Sequence, residues 1–139
     1  MSESLVIPPR LQRRLIRWAR QQAPREICGA LVGRDGRVDR VLPARNADPD
    51  PRRFCMDPGD LVTIFQYIEQ SDQDLLGFYH SHPSGPGTPS TTDLAEAFYP
   101  AQLMVIVYPG DGKRPIRAFR VGEQVEEVHV DQDSRTDPP

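Results

Sequence analysis

Apolar residues Leu11, Leu15, Trp18 and Ala19 fall at i, i+4, i+7 and i+8, the spacing of one helix face. Pro8 and Pro9 suit the start of a helix and Pro24 its end, because proline lacks the donor an interior turn needs. Residues 8–24 are therefore expected to be helical. Arg10, Arg13, Arg14, Arg17 and Arg20 lie mostly off the stripe, as a solvated face would. The pattern then changes. EICGALVGRDGRVDRVLPARN (26–46) reads as two strands around Asp35-Gly36, a strong hairpin signal. A polar, proline-rich link (47–53) leads to a short extended piece, RFCM (53–56). A second helix is expected over roughly 57–71, with Asp57 as N-cap, Pro58 at the first helical position, and Leu61, Ile64, Phe65 and Ile68 on the buried side. DLLGFYHSH (74–82) is strand-like, STTDLAEAFY (90–99) a short helix, and LMVIVYP (103–109) a buried strand. IRAFRV (116–121) and VEEVHV (125–130) are two further strands, with Gly122 near their turn. The first few residues are expected to fray, and the polar tail DQDSRTDPP (131–139) to be disordered. This order predicts an α/β fold: one domain over 1–130, a mixed β-sheet flanked by helices.

Composition narrows the class. A chain of 139 residues, 37% hydrophobic and 27% charged, suits one soluble globular domain. No apolar run approaches the roughly 20 residues of a membrane span, and no basic-then-apolar leader opens the chain. No membrane association and a cytoplasmic location are the expectations. A net charge of −3 argues against a general nucleic-acid binder. In a reducing compartment Cys28 and Cys55 default to free thiols. Spacing alone leaves a disulfide open, and Cys28 reads most simply as a small buried residue.

Two of the three histidines stand in HSHPSGPGTPSTTD (80–93). On a strand, residues two apart share a face, so the His80 and His82 imidazoles can converge. Imidazole is a common metal ligand, and zinc accepts nitrogen and oxygen donors tetrahedrally. Asp93 can supply the oxygen. Three protein ligands leave a fourth position open, the arrangement of a catalytic rather than a structural zinc. Pro83, Pro86 and Pro89 restrict the intervening loop, while Gly85 and Gly87 permit unusual φ values, so the loop can be preordered. Ser90 and Asp93 also form an S-x-x-D pattern, which by itself signals only a helix start. A zinc hydrolase needs a carboxylate base besides its ligands. Glu26, opening a strand in PREICGALVG beside small residues, is the candidate, although alone it reads as an ordinary strand-edge glutamate.

Taken together these residues resemble the JAMM (MPN+) metalloproteases. That signature is a glutamate, then a distant His-Ser/Thr-His, seven residues, Ser, two residues and Asp. Glu26, His80-Ser81-His82, the segment from Pro83 to Pro89, Ser90 and Asp93 fit it. PREICGALVG resembles the family's glutamate strand. GFYHSHP resembles its zinc strand, with Phe78 where many members have tryptophan. The resemblance runs from about residue 5 to 130. It implies a fold related to cytidine deaminase and one Zn2+ per chain, held by His80, His82 and Asp93. It implies Glu26 as general base and acid, and Ser90 as hydrogen-bond donor to the tetrahedral oxyanion. Ser81 points away from the two histidines on a strand, and its expected role is structural. The implied reaction is hydrolysis of the amide bond after the C-terminal Gly-Gly of a ubiquitin-like protein. The chain has little room for the active-site insertions of polyubiquitin-cleaving members, since a strand begins near Leu103. It looks more like short bacterial members associated with ubiquitin-like sulfur-carrier proteins. An extended glycine tail would pair along a strand edge, and RFCMDP (53–58) could help to form the groove.

Three alternatives bear on this reading. A zinc base deaminase needs H-x-E with P-C-x-x-C. His82 stands in place of that glutamate and no C-x-x-C occurs. A non-catalytic scaffold of the same fold would lack the metal ligands, all of which are present. A general deubiquitinase-like isopeptidase on protein conjugates would share every residue named, so the sequence leaves that choice open. It also leaves open the oligomeric state, a homodimer included.

Overall fold

A computed structural model describes residues 3–97 and 101–132. The leading segment is expected to fray; its first two residues lie outside the described ones, and a strand follows. Ser4–Val6 forms strand β1, which pairs in parallel with β7 (Val125–Asp131) and touches β3 (Arg37–Ala44) at Val6 and Arg37. Leu5 and Ile7 are fully buried. The strand's partners lie more than 30 residues away, so local pattern could not reveal it. Its pairing closes the sheet into a barrel of order β1-β3-β2-β4-β5-β6-β7. The mixed α/β sheet expected from the sequence is present, with one strand more at its start.

Helix α1 (Pro9–Gln22) follows the predicted stripe, burying Leu11, Leu15 and Ala19 while Trp18 packs partly buried beside them. β2 (Cys28–Arg34) and β3 form the predicted hairpin. Asp35 and Gly36 both take positive φ, 54° and 74°, as a two-residue turn between right-twisted strands requires. β2 is central, antiparallel to β3 on one side and to β4 (Asp74–Ser81) on the other, and Cys28 to Gly33 are all buried. β4 then runs parallel to β5 (Leu103–Val107), and β6 (Ile116–Val121) and β7 complete a meander. Among the described residues no helix is long and apolar enough to cross a membrane.

Two further expectations change. RFCM is not a strand of the sheet; only Met56 pairs, through an isolated bridge to Asn46. Asn46 fixes this segment as a loop by bonding its backbone from the side. Helix α2 (Pro58–Gln70) has the predicted Asp57 cap, whose carboxylate accepts from the Asp60 N–H. It buries only Ile64, however, and Phe65 stays 38% exposed. The helix lies at the rim of the sheet, where Phe65 meets Phe78 edge-on at 6.5 Å. Helix α3 is short, Thr91–Ala95. The end of the predicted 90–99 helix and most of the 131–139 tail lie outside the described residues.

Buried polar groups are costly unless paired, so their location is informative. Among the described residues six polar or charged side chains are buried: Gln12, Glu26, His80, Ser81, His82 and Asp93. Gln12 is accounted for by its bond to the Ile7 carbonyl at 2.8 Å. The other five gather at one place, where β4 ends. Leu15, fully buried under the barrel, is remote in role from that cluster. We expect Leu15→Ala to lower unfolding free energy by about 2–5 kcal/mol. Urea denaturation would measure this, and metal content of the folded fraction should stay at the wild-type level.

Candidate metal centre and active site

The register of two strands builds the site. Cys28 pairs with His80 and Gly29 with Tyr79 across the antiparallel β2–β4 ladder. Continuing that register past the strand ends sets Glu26 opposite His82. The continuation is real in the hydrogen bonding. The Ser81 N–H donates to the Ile27 carbonyl at 3.0 Å, and the Ile27 N–H donates to Ser81 Oγ at 2.8 Å. Ser81, between the two histidines, is therefore a brace for the residue after Glu26, in keeping with its expected structural role. The His82 N–H donates to the Val107 carbonyl at 2.9 Å, extending the β4–β5 pairing by one step.

The loop after His82 folds back as its composition predicts. Gly85 has φ of 72° and lies against the Tyr108 ring, where a Cβ would come within 2.7 Å. His82 Nδ1 lies 2.8 Å from the Pro86 carbonyl. A carbonyl only accepts, so Nδ1 carries the proton and Nε2 is left for ligation. α3 then begins with a full capping box. The Asp93 N–H donates to Ser90 Oγ at 3.0 Å, and the Ser90 N–H donates to Asp93 Oδ2 at 2.9 Å. The cap does not exclude a chemical role, because a hydroxyl that accepts one bond still has its own proton to donate.

His80 Nε2, His82 Nε2 and Asp93 Oδ2 form a triangle with sides of 3.2, 3.0 and 3.0 Å. Tetrahedral ligands about 2.0–2.1 Å from zinc stand roughly 3.3 Å apart. The donor set and its spacing thus fit a zinc ion. A Glu26 carboxylate oxygen also lies within 4.8 Å of the two imidazole nitrogens. Both carboxylates are near the histidines. Asp93, at 3.0 Å, has the ligand's distance, and Glu26 stands farther back. Burial pushes the Glu26 carboxyl up to about 7, with Asp93, Asp48 and Asp50 adding to the rise and His82 opposing it. Burial also lowers the pKa of His80. For His82 burial acts the same way, but the bonds to Asp93 and Pro86 outweigh it and the pKa rises. For Asp93 burial is outweighed by its contacts with both imidazoles and the Ser90 N–H, which hold it well below the carboxylate range. Cys28 is buried with its thiol pushed up to about 12, chiefly by desolvation, and Cys55 is exposed; both are free thiols.

Sequence reasoning missed two residues here. Asn46 is a hub. Its Nδ2 donates to the carbonyls of Glu26 (3.0 Å) and Arg53 (2.9 Å), and its Oδ1 accepts from the N–H groups of Asp48 and Cys55 (both 3.0 Å). It ties the 47–56 loop to the strand bearing Glu26. Phe54, on that loop, stacks on His80 with ring centroids 4.2 Å apart and planes at 21°. An asparagine at a strand end and an aromatic residue in a polar loop carry no spacing signal.

Two cavities meet at this cluster. One, of 460 Å³, is mainly apolar, lined by Phe54, Met56, Leu61, Phe78, Leu103 and Met104, and reaches His80 and Asp93. The other, of 400 Å³, includes Glu26, His82, Ser90, Arg52, Arg53 and Glu96. The RFCM segment lines the first cavity, in the place where the sequence suggested a groove.

The fold is shared with a JAB1/MPN domain protein from Archaeoglobus fulgidus. Its crystal structure matches with a TM-score of 0.60 at 18% identity, covering 91% of this chain and 98% of that one. A family model described as prokaryotic homologs of the JAB domain matches residues 8–122. The chain belongs to this family. It is similar to a desampylase from Haloferax volcanii, 36% identical over 110 residues, covering 77% of this chain and 78% of the relative. It is also similar to a CysO-cysteine peptidase from Mycobacterium tuberculosis, 32% identical over 120 residues, covering 84% and 82%.

Removing the Ser81 hydroxyl leaves the Ile27 N–H without its partner. We expect Ser81→Ala to destabilise the fold by about 1–3 kcal/mol, measured by chemical denaturation. Ser81→Thr, which keeps the acceptor, should recover most of that loss; equal losses in both variants would mean the brace is unimportant.

Proposed function

We propose that this chain is a zinc-dependent peptidase that hydrolyses the amide bond after the C-terminal Gly-Gly of a ubiquitin-like sulfur-carrier protein. The observation that carries this is the convergence of His80, His82 and Asp93 beside a buried carboxylate, Glu26, at the junction of two cavities. The substrate class is supported by the relatives, one of which is named for a peptidase acting on a protein–cysteine bond. The short span between Asp93 and Leu103, which leaves little room for active-site insertions, supports it too.

His80, His82 and Asp93 would hold the metal. When bound, zinc supplies a Lewis acid that polarises the scissile carbonyl and makes water acidic at neutral pH. The remaining work falls to the chain's own groups. Glu26 accepts a proton from the attacking water and delivers it to the leaving nitrogen, a two-way role that suits a carboxyl raised toward neutrality. Ser90 donates its hydroxyl proton to the oxyanion of the tetrahedral intermediate. Phe54, stacked on His80, shields the imidazole and limits water beside it. The Pro86 carbonyl keeps His82 in the tautomer that presents Nε2.

Glu26→Gln keeps the shape but removes the proton carrier. We expect it to retain zinc and lose roughly 10²–10⁴-fold in turnover. Zinc analysis of the purified variant, with mass spectrometry of a cleavage reaction, would measure both; normal turnover would reject Glu26 as the base. His82→Ala should abolish zinc binding, and full zinc occupancy there would mean the ligand set is misassigned.

The deciding assay uses a small sulfur-carrier protein extended beyond its Gly-Gly. Cleavage after the second glycine is expected, absent in chelator-treated protein and restored by added zinc. Activity that persists through chelation would remove the metal from the reaction. No cleavage by zinc-loaded protein would remove this substrate class and turn attention to conjugated lysines.

A further inference from the structure

The two cavities differ in a way that gives the site a direction. The group that protonates a leaving amine must reach its nitrogen. Glu26 lines the second cavity and not the first. On the peptidase reading, on which this inference rests, the leaving group then lies in the second cavity. The apolar first cavity is left for residues ahead of the scissile bond.

That leaving-group cavity is strongly charged. Glu26 and Asp93 stand at its centre, and either carboxylate would repel an anion. Its side-chain cations, apart from His82, are Arg52 and Arg53. Arg52 is 87% exposed at the side chain and holds Asp50 of its own loop at 3.4 Å. Arg53 is different. Its Nη2 reaches across to Glu96, just beyond α3, at 3.3 Å, and both residues line both cavities. The Arg53 backbone is held beside the site by its neighbours. Asn46 Nδ2 bonds the Arg53 carbonyl at 2.9 Å, and the ring of the next residue, Phe54, stacks on His80. Arg53 thus already binds a carboxylate at the mouth of the leaving-group cavity, with half of its side chain open to solvent.

We propose that Arg53 is a specificity residue for the leaving group, its guanidinium exchanging Glu96 for the free α-carboxylate of a single amino acid or short peptide attached after the scissile bond. In hydrolysis the C–N bond breaks, water's oxygen joins the acyl carbon, and a water proton goes to the leaving amine through Glu26. The leaving amino acid carries its carboxylate two bonds from that nitrogen. An ε-amine of a conjugated lysine has no such anion there. Arginine's planar fork is suited to carboxylate. Arg53 therefore favours terminal extensions over lysine-linked conjugates.

The test uses the full, zinc-loaded chain and one sulfur-carrier protein in two forms. One is extended after Gly-Gly by a single amino acid with a free carboxylate, the other by the same amino acid as its carboxamide. kcat and KM are measured for both forms by mass spectrometry. Wild type should prefer the acid by about tenfold or more, the scale of a lost charge-assisted hydrogen bond. The preference should appear mainly in KM. In Arg53→Ala the acid-to-amide ratio should collapse toward one. In Glu96→Ala, which removes the competing carboxylate but also breaks the ion pair, the ratio should persist or rise. Equal cleavage of both forms by wild type would overturn this inference alone. So would a ratio that falls equally in both variants, since that would show only a structural tie. Cleavage of neither form by zinc-loaded wild type would overturn the sulfur-carrier substrate class and this inference with it.

Discussion

The site rests on one constraint, the register of β2 against β4. Side chains alternate along a strand, so a slip of one residue would turn His80 and His82 to the opposite face of the sheet and move Glu26 away from them. The ladder alone stops at Cys28 and His80. The two bonds between Ile27 and Ser81 carry it one step farther, to where the chemistry lies. Ser81 is fully buried and spends its hydroxyl on a backbone N–H that the end of the strand would otherwise leave unpaired. The same residue that separates the two histidines in sequence fixes the distance between them and the glutamate in space. Spacing along the chain and pairing across the sheet are therefore one requirement.

Burial then sets the electrostatics. Glu26, His80, His82 and Asp93 are withdrawn from water together, and each is kept there by the others. Asp93 Oδ2 lies 3.0 Å from both imidazole Nε2 atoms and accepts from the Ser90 N–H, so its charge is well compensated. The Glu26 carboxyl rises to about 7 chiefly because it is withdrawn from water, with Asp93, Asp48 and Asp50 adding to the rise and His82 opposing it. Two carboxylates beside the same pair of histidines are thus driven in opposite directions by their surroundings. One is fixed as an anion and suits a cation; the other is balanced between protonated and charged forms, as a proton carrier must be.

What the sequence revealed and what it hid follow from the range of each signal. The histidine pair, the capping serine and the aspartate are tied by short, fixed offsets, and each offset has a geometric meaning on a strand or a helix start. Glu26 was legible only through its resemblance to a known pattern, because its partners lie some 54 residues away and nothing local marks it. The hairpin at Asp35-Gly36 was legible because two positive φ values need such residues. β1 was not, since three residues paired with a strand at the far end of the chain look like a loose terminus. The face of α2 was overread: its apolar residues follow helical spacing, but the helix sits on the rim and leaves Phe65 partly open. Periodicity reports which side of a helix is apolar and not how much sheet lies beneath it.

Asn46 explains why a proline-rich loop with little regular structure can serve a site that needs fixed geometry. Its amide makes four bonds, two given and two received, and they join the 47–56 loop to the glutamate strand at several points. Phe54 is thereby held against His80, and the loop becomes a wall shared by both cavities. That wall is not symmetric. On one side it presents Phe54 and Met56 to an apolar space bounded by β4 and β5. The other space contains Glu26, and Arg53 and Phe54 border both. The two spaces differ in what they add to that shared wall: Leu61, Leu103 and Met104 in one, Glu26, His82 and Ser90 in the other.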